Sequence, residues 1–176
     1  MGTIRKARSE DAEAIARVMA AVAEEGLLAT EPPVDLAARA RRFRETIEGA
    51  GPAGLWVLER DARVVGHAGV QETHAPGVLT LGIALLAPAR GQGAGRTLLD
   101  VLVRHARSCG AHKLELEVWP DNARAIALYA LAGFGVEGLR RDHYRRRNGS
   151  LRSALLMARP LTGDGRGERP EGAARG

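Results

Sequence analysis

Two stretches decide the fold: Ala89-Arg-Gly-Gln-Gly-Ala-Gly95, and Asn122-Ala-Arg-Ala-Ile-Ala-Leu-Tyr-Ala-Leu-Ala-Gly-Phe134. The first follows an almost wholly apolar run, Val78 to Leu86, of the kind found in strands buried on both faces. It precedes a run in which Leu98, Leu99, Leu102, Val103 and Ala106 repeat at helical spacing until Gly110. Glycines 91, 93 and 95 let the backbone pack tightly and expose its N–H groups. The helix that follows adds free N–H groups and the positive end of its dipole, which together suit a pyrophosphate. Arg90 and Arg96 add charge. The loop has neither the Gly-Lys-Ser/Thr ending of a nucleoside triphosphatase loop nor the GxGxxG spacing of a Rossmann turn. Taken alone, it also reads as a plain structural turn.

Outward from this loop, Lys113 to Trp119 alternates apolar and acidic residues as a strand, and Pro120-Asp121-Asn122 turns into a short helix, Ala123 to Ala132, closed by Gly133. Upstream, Thr3 to Arg8 reads as a first strand. Ser9 is the expected cap of a helix whose apolar face is Ala12, Ile15, Ala16, Met19, Val22 and Ala23. Asp35 is the expected cap of a second helix, Leu36 to Glu48. Leu55–Arg60 and Arg63–Val70 form a hairpin, with Gly66 and Gly69 weakening its second strand. Phe134–Leu139 and Ser153–Ala158 are two last strands, and the link between them carries the turn signal Asn148-Gly149. The order βααβββαβαββ predicts an α/β fold on a mixed sheet. One domain is expected over residues 1–161, with a glycine-rich disordered tail over 162–176.

Composition narrows the function. The chain has 176 residues, enough for one core, and no apolar run long enough to span a membrane. Its first residues lack the apolar segment of a secretory signal, and its one cysteine, Cys109, excludes an internal disulfide framework. The cytoplasm is the expected compartment. The five histidines show no ligand spacing, so no metal is expected. Six aromatic residues are too few for a base-stacking platform. The net charge of +5 is concentrated in residues 121–160, which hold eight arginines against three acids. That segment suits an anion or is simply a solvated hairpin. Sparse aromatics and modest charge argue against nucleic acid.

Together the two stretches resemble the acetyl-coenzyme A core of the GNAT superfamily of N-acetyltransferases. The family loop Q/R-x-x-G-x-G/A is matched by Arg90-Gly91-Gln92-Gly93-Ala94-Gly95. Its second signature, N-x-x-A-x-x-L-Y-x-x-x-G-F, is matched at Asn122, Ala125, Leu128, Tyr129, Gly133 and Phe134. The resemblance spans about residues 3 to 161 and implies a mixed, mostly antiparallel sheet splayed in the middle. It further implies that the cosubstrate is acetyl-CoA, with its pyrophosphate on Gln92 to Arg96 and its pantetheine arm along Ile83, Ala84 and Leu85. Asn122 matches a position that contacts that arm or caps the helix. Tyr129 matches the residue that protonates the departing thiolate. A backbone N–H near Leu85 is the implied donor to the oxyanion.

The base is less defined. Many relatives carry a glutamate on the strand before the loop, and here that strand has no acid. Glu115 and Glu117 share one face of the next strand, with Glu72 and His74 upstream, and water alone is an alternative. Glu117 is the first choice, with pairing to arginines as its structural reading. Glu24, Glu25 and Glu31 lie where the resemblance places the acceptor. The expected function is acetyl transfer to a primary amine by direct attack, with a small-molecule acceptor slightly favoured. A protein N-terminal or lysine acetyltransferase and an inactive CoA-binding module are the alternatives, and a homodimer is left open.

Overall fold

The computed structural model describes residues 2–162 of the chain. The elements are β1 (Thr3–Lys6), α1 (Ala12–Glu24), α2 (Leu36–Glu48), β2 (Gly54–Arg60), β3 (Arg63–Glu72), β4 (Val78–Leu85), α3 (Ala94–Ser108), β5 (Lys113–Val118), α4 (Ala123–Leu131), β6 (Gly135–Arg145) and β7 (Leu151–Pro160). Their order is the expected βααβββαβαββ. The expectation of a disordered tail falls, from residue 163 onward, outside the described residues. Among the described residues, no helix is long and apolar enough to cross a membrane.

The seven strands form one sheet in the order β1-β2-β3-β4-β5-β7-β6. Every neighbouring pair is antiparallel except β4 and β5. Those two are paired only where Val78–Thr80 meets Lys113–Glu115. Beyond Thr80, β4 continues alongside β3, while beyond Glu115, β5 continues alongside β7. With each strand held by its outer neighbour, the sheet opens in the middle.

The helices divide between the two faces. Leu98, Leu99 and Leu102 of α3 are fully buried with Leu79, Leu114, Leu116 and Met157. Burying each such leucine stabilises the fold by about 1.5–3 kcal/mol. Ile15 of α1 joins Leu55 and Val57 on the opposite face, with Phe43 of α2 packed against them. Asp35 caps α2 as expected, accepting from the Ala38 N–H at 2.9 Å. Gly66 does not merely weaken β3. A side chain there would start 2.3 Å from Leu85 Cδ2, so the glycine makes room for the neighbouring leucine.

Two expectations are corrected. Ser9 does not cap α1; its hydroxyl donates to Glu48 at 2.6 Å. Ser9–Asp11 is a short 3-10 turn, and Asp11 accepts from the Arg8 N–H at 2.8 Å and from both terminal nitrogens of Arg5 at 2.7 and 2.9 Å. The Arg5 guanidinium holds the Asp11 carboxyl below its usual range. The last two strands are also longer than expected. β6 continues through Arg-Arg-Asp-His-Tyr-Arg, because a bulge absorbs the break in its pattern. Residues Arg140 and Tyr144 pair with Ala154 and Arg152, so 141–143 oppose Ser153 alone. Asp142 takes φ +50°, and its N–H donates to Ser153 Oγ at 2.9 Å.

Candidate active site

A cavity of about 660 Å³ occupies the gap between β4 and β5. The hydrogen-bond ladder dictates what faces it. Leu86 N–H donates to Val65 and Thr73 N–H to Val78, so the even-numbered residues of β4 bond to β3. The peptide groups of Leu81, Ile83 and Leu85 therefore turn the other way, into the gap. Leu161 N–H donates to His112, which sets the phase on β5 and aims the Glu117 peptide into the gap from the far side. Beyond the last paired residues, the N–H groups of Ile83, Leu85 and Glu117 are strand donors with no strand opposite them. The Leu85 carbonyl is taken, accepting from Arg90 Nε at 2.8 Å.

At one end of the cavity lies the glycine loop. Gly93 has φ +80°, and a side chain at its Cβ would enter open space. That backbone leads directly into the N-terminus of α3. Gly91, Gly93, Gly95 and Arg96 line the cavity, whereas Gln92 bonds the Pro88 carbonyl at 3.1 Å and Ala94 is packed in the core. The charge of Arg90 is largely committed: its guanidinium grips Glu25 at 2.6 and 2.7 Å. That contact holds the Glu25 carboxyl below its usual range. Arg96 reaches Asp100 at 3.2 Å and the Leu131 carbonyl at 2.9 Å. Arg124, which the sequence reading passed over, does line the cavity. Its guanidinium lies 3.0 Å from where a Gly91 side chain would begin. A cation in the first turn of a helix opposes the helix dipole, and that was the available signal.

The cavity passes through the sheet. Tyr129 enters it from the α4 side. Its ring is buried, which pushes the phenol up to about 12, so the hydroxyl is a neutral donor at pH 7. Asn122 caps α4, accepting from the Ala125 N–H at 3.2 Å, and also lines the cavity. Ile83 and Leu85 are lining residues, but Ala84 points to the opposite face, buried with Val18 and Val22 of α1.

From the other face come Glu25, Leu27, Leu28, Glu117, Trp119 and Tyr144. Glu117 accepts from the Tyr144 hydroxyl at 2.5 Å and pairs with Arg140 at 2.6 Å. The other acids considered as bases lie elsewhere. Glu72 and Glu115 pair with Leu79 and Thr80, at the joined end of the two strands, and His74 follows them in the loop. Glu31 is paired with Arg146 at 3.1 Å.

The arginine-rich hairpin is a fastening for the loop after α1. Arg147 donates to the Pro32 carbonyl at 2.6 Å, and Arg146 to Ala29 at 3.0 Å. Arg152 and the Trp119 indole both donate to the Gly26 carbonyl, at 2.9 and 3.1 Å. Arg152 also lies over the Trp119 ring, 4.3 Å from its centre. Among the described residues, no group of three or more His, Cys, Asp or Glu side chains is placed to hold a metal.

Residues 18–134 match the model of the acetyltransferase (GNAT) family. The chain is 41% identical over 71 residues to the [ribosomal protein bS18]-alanine N-acetyltransferase of Escherichia coli (strain K12), covering 40% of this chain and 47% of that protein. The chain thus spans about half the length of such curated relatives. It is 41% identical over 110 residues to the N-alpha-acetyltransferase RimI of Mycobacterium tuberculosis, covering 56% of this chain and 63% of that one. In fold it is similar to the GNAT superfamily phosphinothricin acetyltransferase from Sinorhizobium meliloti, solved in complex with AcCoA. That match has a TM-score of 0.80 at 24% identity, over 91% of this chain and 88% of that one.

Proposed function

Since the chain belongs to the acetyltransferase (GNAT) family, we propose that it transfers an acetyl group from acetyl-CoA to a primary amine by direct attack. One observation carries this reading: Tyr129 and Glu117, from opposite faces of the sheet, line a single cavity that runs through the gap between β4 and β5. The cosubstrate fits the residues present. The backbone at Gly91, Gly93 and Gly95 and the α3 N-terminus would hold its pyrophosphate, and Arg124 would add charge there. The outward peptide groups of Ile83 and Leu85 would hold the pantetheine arm in the manner of an added strand.

In the transfer, the amine nitrogen bonds to the acetyl carbon as the carbon–sulfur bond breaks. Negative charge growing on the carbonyl oxygen meets an N–H from the splayed strand. Tyr129 gives its proton to the departing sulfur, and Glu117 accepts the proton the amine loses.

The acceptor we propose is an α-amine. Its ordinary pKa of about 7.7–8.0 leaves an appreciable neutral fraction at pH 7, whereas a lysine amine near 10.4 leaves almost none. The two relatives named as alanine and N-alpha acetyltransferases support a polypeptide N-terminus over a small-molecule acceptor. The test is thiol release from acetyl-CoA across a panel of N-terminal peptides, free amino acids, polyamines and lysine peptides. Faster release with N-terminal peptides supports the reading; release confined to lysine peptides or polyamines contradicts the acceptor.

A further inference from the structure

We propose that Arg140 and Tyr144 are positioning residues for the acceptor-side carboxylate, delivered to it by the bulge in β6. The inference rests on the transferase reading above and deepens it. Glu117 pairs with Leu156 of β7, so the two share a face of the sheet. Ala154 and Arg152 follow at even steps on that face, and they pair with Arg140 and Tyr144. Both β6 side chains therefore turn toward Glu117, and each binds a different oxygen: Tyr144 takes Oε2 and Arg140 takes Oε1. A regular strand would set residue 142 against Arg152 and give Glu117 an aspartate in place of the tyrosine. The bulge inserts two residues, which brings Tyr144 into that place.

Tyr144 is itself fixed. Its ring meets Trp119 edge-on at 5.2 Å and 89°, and His143 at 5.0 Å and 86°. The other charged groups nearby already have partners. Glu115 lies 4.0 Å from Lys113, Arg152 holds Asp121 at 2.9 Å, Arg146 holds Glu31, and Arg90 holds Glu25. Arg140 is thus the cation that answers Glu117. Burial and the bond to Glu117 push the Tyr144 phenol up to about 12, so it remains a proton donor through the working range. A hydrogen bond on one oxygen and an ion pair on the other orient the carboxylate at the cavity wall, where the amine proton would be delivered.

The test compares Tyr144→Phe, Arg140→Ala and Arg140→Lys with the wild-type chain, following thiol release with an alanine-terminated peptide from pH 7 to 9.5. The kcat at pH 7 should fall roughly 10- to 100-fold in Tyr144→Phe and by about fivefold in Arg140→Ala, whose exposed ion pair is screened by solvent. The KM for acetyl-CoA should not change. The deficit should shrink to about threefold or less near pH 9.5, where the α-amine is already neutral. Arg140→Lys should recover part of the loss. A general structural defect would lower kcat equally at every pH, and that result would overturn the proposal. So would wild-type kcat in both Tyr144→Phe and Arg140→Ala. Tyr144→Phe keeps the ring on Trp119, and should it nevertheless fail to fold, the Arg140 pair decides alone. Absence of thiol release by the wild-type chain would remove the transferase reading and this inference with it.

Discussion

Acidification should destabilise this protein through one side chain, His67. It lies on β3, opposite Ala84 of β4, and is buried edge-on against Phe43 at 5.4 Å. Neither ring nitrogen has a hydrogen-bond partner. Burial pulls its pKa from 6.5 down to about 4. The sign follows from which state binds the proton. Below pH 6.5 the unfolded chain protonates this histidine and the folded chain does not, so stability declines as pH falls from 6.5 toward 4. At about 1.36 kcal/mol per pH unit, the loss at pH 5 relative to pH 7 is roughly 2 kcal/mol, and about 3 kcal/mol is reached at the lower limit. His67→Leu removes the titration along with two unsatisfied polar atoms. Urea unfolding of both chains from pH 7.5 to 4.5 isolates the effect as a difference in slope. The wild-type chain should lose about 2 kcal/mol more than the variant between pH 7 and pH 5. Parallel curves would refute the reasoning and mean that the imidazole finds a partner or water when protonated.

Other expected outcomes are equally checkable. Gly93→Val places a β-branched residue at φ +80° and a side chain where phosphate oxygens would lie; calorimetry should show at least about a tenfold loss of CoA affinity with the fold retained. Tyr129→Phe keeps the buried ring but loses the hydroxyl; kcat should fall by roughly 10²–10⁴-fold with little change in CoA affinity. Arg5→Met leaves the Asp11 carboxylate, 7% exposed, without its bidentate partner; denaturant unfolding at pH 7 should show a loss of about 3 kcal/mol.

The middle of the fold was legible because periodicity and turn chemistry agreed there. β4 and α3 carry readable apolar runs, β5 alternates apolar and acidic residues, the glycine loop reads as a turn, and helix α2 begins at its readable cap. The far end was not legible for a physical reason. Arg-Arg-Asp-His-Tyr-Arg has no alternation, since a three-against-one bulge resets the strand midway and both faces are largely exposed. With the bulge unseen, Arg140 and Tyr144 looked like a solvated link, and the two donors to Glu117 were missed. Arg90 shows the opposite limit. Its place beside the glycines marks it for an anion, but Glu25 lies 65 residues away in sequence, and only folding brings their charges together. For Ala84, only the ladder shows that its peptide group bonds to β3, whereas those of Ile83 and Leu85 turn into the gap.

The central claim is that an acetyl group crosses the splayed gap to an α-amine. The most direct measurement is transfer of an isotopically labelled acetyl group from acetyl-CoA to an alanine-terminated peptide, with free thiol and labelled peptide quantified in the same sample. The account predicts equal amounts of the two, with the label on the N-terminal nitrogen. Thiol release with free acetate and an unlabelled peptide, or no thiol release at all, would contradict it.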